Sequence, residues 1–275
     1  MSFVLLTSRL TSPGIPSRLS LSKITTTIAL NTFEVNPNHK VTIVSDIGSE
    51  KRNAVVIDDF YKYPDLVRDL ALKMKRSDDP FLIQELPGER CFQEVKGLRD
   101  NIRPVFDKYC LDQSLWKREI NVETYNQQFN TTEFMVNFMN EDTVVNKPFS
   151  NIPHQDVYWG EPDALFQFGV MIYLNLPEEC AGGTNVYSYR GKMSYDNFNQ
   201  IEKPSGFDEK VDSNDSAFDF IRDWIYDETR EWKVEHEFEM RYNRVVIIEA
   251  GVMHSANVGR SMFNNFDRVN QVFWL

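Results

Sequence analysis

The run Phe166-Gln167-Phe168-Gly169-Val170-Met171-Ile172-Tyr173-Leu174-Asn175-Leu176 constrains the fold more than any other stretch of the chain. It is long, largely apolar, rich in β-branched and aromatic side chains, and stopped by Pro177. Such a run reads as a central strand of a sheet. Other segments read as its neighbours. VTIV at 41–44 and AVVIDDF at 54–60 are short apolar runs bounded by polar turns. Phe134, Val136 and Phe138 alternate with Met135 and Asn137, the period of a strand. AGGTNVYSY at 181–189 enters a strand through a Gly-Gly turn, and RVVIIEAG at 244–251 and VNQVFWL at 269–275 supply two more. Between Lys117 and Tyr125, Ile120, Val122 and Thr124 alternate with Asn121, Glu123 and Tyr125, which predicts a further strand.

Helices are predicted in three places. Pro64 suits a first helical position, and Leu66, Val67, Leu70 and Met74 follow on one face. A second helix is predicted from Gly97 to Cys110, with Pro104 as a kink or as the true start. A third lies within a charged, aromatic insertion at about 191–240, where Asp215 can cap a helix carrying Phe218, Ile221, Trp224 and Ile225. Leu86-Pro87-Gly88-Glu89-Arg90 reads as a loop. The expected fold is mainly β with flanking helices (α+β), built on a double-stranded β-helix, the jelly roll of cupin-like proteins. A single domain is expected over 40–275, preceded by a leader at 1–39.

Composition narrows the function classes. With 41% hydrophobic and 13% aromatic residues, the 275-residue chain has ample material for a core, which excludes global disorder. A net charge of −11 leaves no basic footprint for a phosphate backbone, so no nucleic-acid partner is expected. Cys91, Cys110 and Cys180 are too scattered for a disulfide framework or a CxxC metal pair, and read as buried thiols in a reducing compartment. No apolar run approaches a membrane span, so no membrane partner is expected. Residues 1–30 contain no Asp or Glu, carry Arg9, Arg18 and Lys23, and are rich in Ser and Thr. They read as a poorly ordered leader or a targeting segment, which leaves organellar import open beside a cytoplasmic location.

The chemistry-bearing stretch is Pro153-His154-Gln155-Asp156. On a strand, His154 and Asp156 point to the same face, so one imidazole and one carboxylate can converge on a point. An HxD triplet alone arises by chance. Of the other histidines, His39 lies near the N-terminus and His236 in the charged insertion, whereas His254 follows the apolar strand RVVIIEAGVM directly. Two imidazoles and one carboxylate form the facial triad that holds iron and leaves positions open for cosubstrate and oxygen. Arg268 stands 14 positions after His254, just before the last strand. Inside a barrel it would need an anion, because a buried unpaired charge is costly and a guanidinium fork fits a carboxylate. A surface ion pair with Asp267 is the alternative role, and Arg260 is a second candidate for the anion site.

Taken as a series, HQD, FGVMIYLN, GGTNVY, NRVVIIEAGVMHS and RVNQVFWL resemble the 2-oxoglutarate/Fe(II)-dependent dioxygenase superfamily, in its prolyl-hydroxylase-like branch. AVVIDDFYKYPDLVRDLAL and LPGER resemble segments of a DUF6445-type family within that branch. The resemblance covers most of 53–275. It implies an oxidoreductase that converts 2-oxoglutarate and O2 to succinate and CO2 while hydroxylating a small molecule or peptidyl substrate. His154, Asp156 and His254 would be the Fe(II) ligands. Arg268 would bind the distal carboxylate of 2-oxoglutarate, with Asn270 where the family often has Ser or Thr. Tyr173 and Asn137 would be polar contacts beside it, and Gly182-Gly183-Thr184 a structural turn. Aspartate at 156, where halogenases of the superfamily carry a small residue, implies hydroxylation or a related oxidation. Phe149, Tyr158 and Trp159 could line a substrate pocket, with 140–153 and the insertion as lids. Two other classes fit the residues alone: a cupin-like zinc protein, since zinc also accepts His and Asp, and a catalytically silent jelly-roll module.

Overall fold

In the computed structural model, residues 32–78, 88–140, 143, 152–156, 166–194, 201, 214–226, 231–259, 262–263 and 265–275 are described. The chain runs β1 (Lys40–Ile47), β2 (Arg52–Asp58), α1 (Pro64–Lys73), β3 (Glu89–Gln93), α2 (Leu98–Cys110), α3 (Val122–Thr131) and β4 (Phe134–Met139). It continues through β5 (Phe168–Tyr173), β6 (Gly183–Tyr189), α4 (Asn214–Tyr226), β7 (Trp232–Glu239), β8 (Val245–Glu249), β9 (His254–Asn257) and β10 (Arg268–Trp274).

A seven-stranded antiparallel sheet has the order β1-β2-β8-β5-β10-β4-β3, and a three-stranded sheet the order β7-β6-β9. Apolar β5 lies in the middle of the larger sheet, between β8 and β10. An antiparallel bridge between His154 and His254 places 152–156 beside β9, at the open edge of the smaller sheet. From β4 onward the chain therefore passes back and forth between sheets, with only β6 and β7, of the described strands, following each other in the same one. β4, β5, β8 and β10 belong to the large one, and the His154 segment, β6, β7 and β9 to the small one. That alternation is a double-stranded β-helix, and the fold is mainly β with flanking helices.

The period of two sorts each strand between two cores. Val269 and Phe273 of β10 join Val67 and Ala71 of α1, Ile102 and Phe106 of α2, and Tyr125 and Phe129 of α3. Phe106 stacks on Phe60 at 5.7 Å and meets Phe273 edge-on at 5.6 Å, tying α2 to the sheet. Truncating a fully buried Phe of this kind typically costs about 3–5 kcal/mol. On the opposite face, Met171, Tyr173, Val246 and Ile248 look toward Val186 and Phe238 of the small sheet. Helix α4 covers the outside of that sheet, where Trp224 packs edge-on against Trp232 at 5.8 Å. The helices thus seal two outer faces, and the polar residues of the inner face lie between the sheets.

Three expectations are corrected and one open alternative, at Pro104, is settled. The strand predicted over Lys117–Tyr125 is instead the approach to α3, whose start is fixed by the Asn121 side chain accepting from the Thr124 backbone N–H at 3.0 Å. Tyr125 and Phe129, one helical turn apart, are the residues it buries. Pro104 lies inside α2, so the helix begins before it. The leader expected at 1–39 is too long: Phe33 is buried against Tyr61 and Phe134, and Lys62 N–H donates to the Glu34 carbonyl at 2.9 Å. Residues 1–31 lie outside the described residues. Finally, Trp232–Glu239, assigned to the insertion, is β7 of the small sheet and pairs along β6. Cys91 and Cys110 are buried free thiols, and Cys180 is a half-buried one.

Candidate metal centre

The backbones of His154 and His254 exchange two hydrogen bonds of 2.8 Å, which sets their rings 4.7 Å apart, centroid to centroid. Asp156 N–H donates to the Ala250 carbonyl at 2.8 Å, so its carboxylate projects from the same side as His154. Gln155, between them, is turned to the Gly251 carbonyl, to which its Nε2 donates at 2.6 Å. His254 Nε2 lies 3.3 Å from Asp156 Oδ2, and His154 Nε2 lies 3.8 Å from Oδ1. One ligand atom from each of the three residues fits within 4.8 Å of the others, a group that could hold a metal ion.

The local chain also presents the right nitrogen. His154 Nδ1 lies 3.0 Å from the Ile152 carbonyl, and His254 Nδ1 lies 2.8 Å from that of Val252. A carbonyl can only accept, so each Nδ1 carries a proton and each Nε2 faces the carboxylate, open to a metal once any proton on it has left. Gly169 makes room for this. A Cβ there would stand 2.9 Å from Asp156 Oδ2, so the glycine in the central strand lets the carboxylate lie against the sheet.

Charge follows from that geometry. Burial acts to raise the Asp156 carboxyl, but His254 and then His154 hold it down at about 2. Burial acts to lower His254, and the adjoining Asp156 carboxylate outweighs it, so that imidazole lies above the usual value. His154 is pushed down by burial and by repulsion from His254. With its side chain 45% exposed, repulsion is the firmer cause, and His154 is the open side of the group. An ionised carboxylate and a neutral imidazole are already the forms a divalent ion needs.

A second polar group lies on the same inner face. Arg268 is 2% exposed, its Nη1 donating to Asn270 Oδ1 at 2.6 Å and its Nη2 to the Gly183 carbonyl at 3.3 Å. Its guanidinium carbon lies 5.5 Å from the ring centre of Tyr173, whose hydroxyl shares a 2.7 Å hydrogen bond with Thr184 Oγ1. Asp267, the surface partner considered for Arg268, pairs instead with Arg76 at 3.3 Å. Among the described residues no carboxylate forms an ion pair with Arg268, and its Nε has no hydrogen-bond partner. Gly182 and Gly183 have positive φ, and a Cβ on either would come within about 2 Å of a carbonyl oxygen, so this turn is structurally required. Arg260, Phe149, Tyr158 and Trp159 lie outside the described residues, as do all but 140, 143, 152 and 153 of the loop at 140–153.

Sequence reasoning placed Arg90 in a loop, but it lies on strand β3 and faces the site. Cross-strand pairing lines up Arg90, Asn137, Asn270 and Tyr173 on neighbouring strands. Arg90 is 7% exposed, and its guanidinium carbon lies 5.6 Å from the Trp274 ring centre. Burial pushes its ionisation down to about 10, with Asp156 opposing that shift. Among the described residues, neither Arg90 Nε nor Asn137 Oδ1 has a hydrogen-bond partner. Each buried orphan of this kind costs on the order of 1–3 kcal/mol, a cost that a suitable ligand removes. The signal available in the sequence was Glu89-Arg90-Cys91-Phe92-Gln93, an arginine in a segment of strand period beside a buried cysteine.

A double-stranded β-helix carrying two histidines and one aspartate between its sheets defines the class: a jelly-roll protein with a candidate three-ligand metal centre. The chain belongs to DUF6445, a family of unknown function, which matches residues 37–267. No curated protein matches it. Among the solved structures that resemble it distantly are two of low identity. HygX from Streptomyces hygroscopicus, solved with nickel and 2-oxoglutarate bound, is 10% identical, with 86% of this chain and 82% of that one covered at a TM-score of 0.31. An N-substituted L-amino acid dioxygenase from Burkholderia ambifaria AMMD is 11% identical, with 85% and 93% covered at a TM-score of 0.35. Among the described residues no helix is long and apolar enough to cross a membrane.

Proposed function

We propose that this protein is an Fe(II)- and 2-oxoglutarate-dependent dioxygenase that hydroxylates a small organic or peptidyl substrate. The observation that carries this reading is a pairing of two sites on one inner face. Three ligand side chains present two Nε2 atoms and a carboxylate, and on the same inner face lies a buried arginine with no acidic partner among the described residues. The donor set of neutral imidazoles and one carboxylate suits Fe(II) and leaves positions free for other ligands. When bound, iron with 2-oxoglutarate supplies the oxidising chemistry, releasing succinate and CO2 as O2 is consumed.

The protein's own residues hold and orient. His154, Asp156 and His254 would bind the metal, the Nδ1 protons of the two imidazoles kept on main-chain carbonyls so that the rings cannot turn away. Arg268 would hold the distal carboxylate of 2-oxoglutarate, with Asn270 fixing its guanidinium and Tyr173 flanking it. Burial strengthens such a charge-assisted contact because water does not compete. In a zinc hydrolase or a silent module, Arg268 would be a buried charge without a counter-ion, which is why those readings are weaker.

The test is turnover. Purified full-length protein given Fe(II), ascorbate and 2-oxoglutarate in air should release succinate, and omitting Fe(II) should abolish it. Succinate formation that is indifferent to iron, or a protein that binds neither Fe(II) nor 2-oxoglutarate, would rule the oxygenase out.

A further inference from the structure

The inner face carries a second arginine that the metal and the cosubstrate leave unassigned. Arg90 is more than nine-tenths buried, its Nε is unpartnered, and the residue beside it across the strands, Asn137, is 6% exposed with an unpartnered Oδ1. Cys91, its neighbour in sequence, points into the helix-covered core, so Arg90 points the other way, between the sheets. It senses the centre: among the described residues Asp156 is the charged group that acts on it, and its guanidinium carbon lies 5.6 Å from the Trp274 ring centre. Among the described residues, no ion pair joins Arg90 to Asp156 or any other acid. An acidic chain has thus buried two arginines on one face, neither with an acidic partner among the described residues.

We propose that Arg90 is the substrate clamp, and that the substrate is a small carboxylic acid with an apolar body. This rests on the dioxygenase reading, in which Arg268 is occupied by 2-oxoglutarate. The guanidinium would take the carboxylate through its paired N–H groups, and Asn137 Oδ1 would accept from a donor next to that carboxylate, such as an amine. The next row of the same face, Met135, Val272 and Met171, is apolar and flexible at its methionines, and would carry the body of the molecule past the metal. A neutral amide, or an internal residue of a peptide, has no charge to offer Arg90.

The experiment uses full-length protein loaded with Co(II) and 2-oxoglutarate without oxygen. L-Leucine, 4-methylpentanoate and 3-phenylpropanoate are each titrated beside the corresponding amide by calorimetry. At least one acid should bind at least about tenfold more tightly than its amide. Arg90→Gln should erase that preference while changing Co(II) and 2-oxoglutarate affinities less than about twofold, and Arg90→Lys should keep part of it. The proposal is overturned if no acid outbinds its amide on the wild type, which needs no variant to fold. It is equally overturned if the preference survives Arg90→Gln, or if that change weakens 2-oxoglutarate or the metal instead, making Arg90 a cosubstrate or positioning residue. Absence of 2-oxoglutarate binding to the wild type overturns the dioxygenase reading separately, and the comparison of acids with amides on the Co(II) protein then still decides for Arg90.

Discussion

His154 and His254 lie 100 positions apart in the chain, yet their backbones form a two-way hydrogen-bonded bridge at 2.8 Å. The bridge makes the smaller sheet's edge and the metal centre the same object. Replacing either imidazole removes a ligand without breaking that backbone pair. His154→Ala and His254→Ala should therefore stay folded and bind Co(II) at least about a hundredfold more weakly than wild type. Thermal melting and Co(II) titration followed in the visible spectrum check both halves.

Gly169 is a steric prediction. A methyl group there would stand 2.9 Å from Asp156 Oδ2, on a strand whose backbone any residue can adopt. Gly169→Ala should weaken Co(II) binding by roughly tenfold while the urea midpoint moves little. An unchanged affinity would mean that Asp156 swings aside freely and is not held against the sheet.

Arg268→Gln removes the charge proposed for 2-oxoglutarate and leaves the three ligands in place. The dissociation constant for 2-oxoglutarate should rise by about 30-fold or more, the usual effect of deleting one member of a buried charge pair. Metal affinity should stay within about twofold. Calorimetry on the Co(II) protein separates the two quantities.

Protons should compete with the metal at His254. Asp156 raises this imidazole above its ordinary value of 6.5, and the proton must leave Nε2 before a metal can bind there. Apparent Co(II) affinity should therefore level off in alkaline buffer and fall as pH drops through the raised value, by about tenfold per unit for one displaced proton. Titrations at about pH 8, 7 and 6 read that slope, and a flat profile would contradict the assignment of His254.

Much of this fold is legible because its strands are apolar on both faces. The run at 166–176 became the middle strand β5, and 244–251 and 269–275 contributed β8 and β10. The start of α3 reads as a strand because Ile120, Val122 and Thr124 alternate with polar neighbours, while the Asn121 cap and the Tyr125–Phe129 spacing argue for a helix. β7 was hidden by its charge, although Trp232, Val234, His236 and Phe238 do alternate with Lys233, Glu235 and Glu237. Within the site, His154 and His254 stood out because the chain has only 4 histidines, Asp156 by its HxD spacing and Arg268 by its place just before the last strand. Arg90 did not, because its significance lies in pairing with Asn137 from a distant strand, which no local pattern shows.

The most direct measurement is anaerobic spectroscopy of the full-length protein with Fe(II) and 2-oxoglutarate. Chelation of the cosubstrate by iron in this centre should produce a visible charge-transfer band that His154→Ala abolishes and Arg268→Gln shifts to higher 2-oxoglutarate concentration. A wild-type protein without the band, or a His154→Ala protein that keeps it at full intensity, would contradict the account.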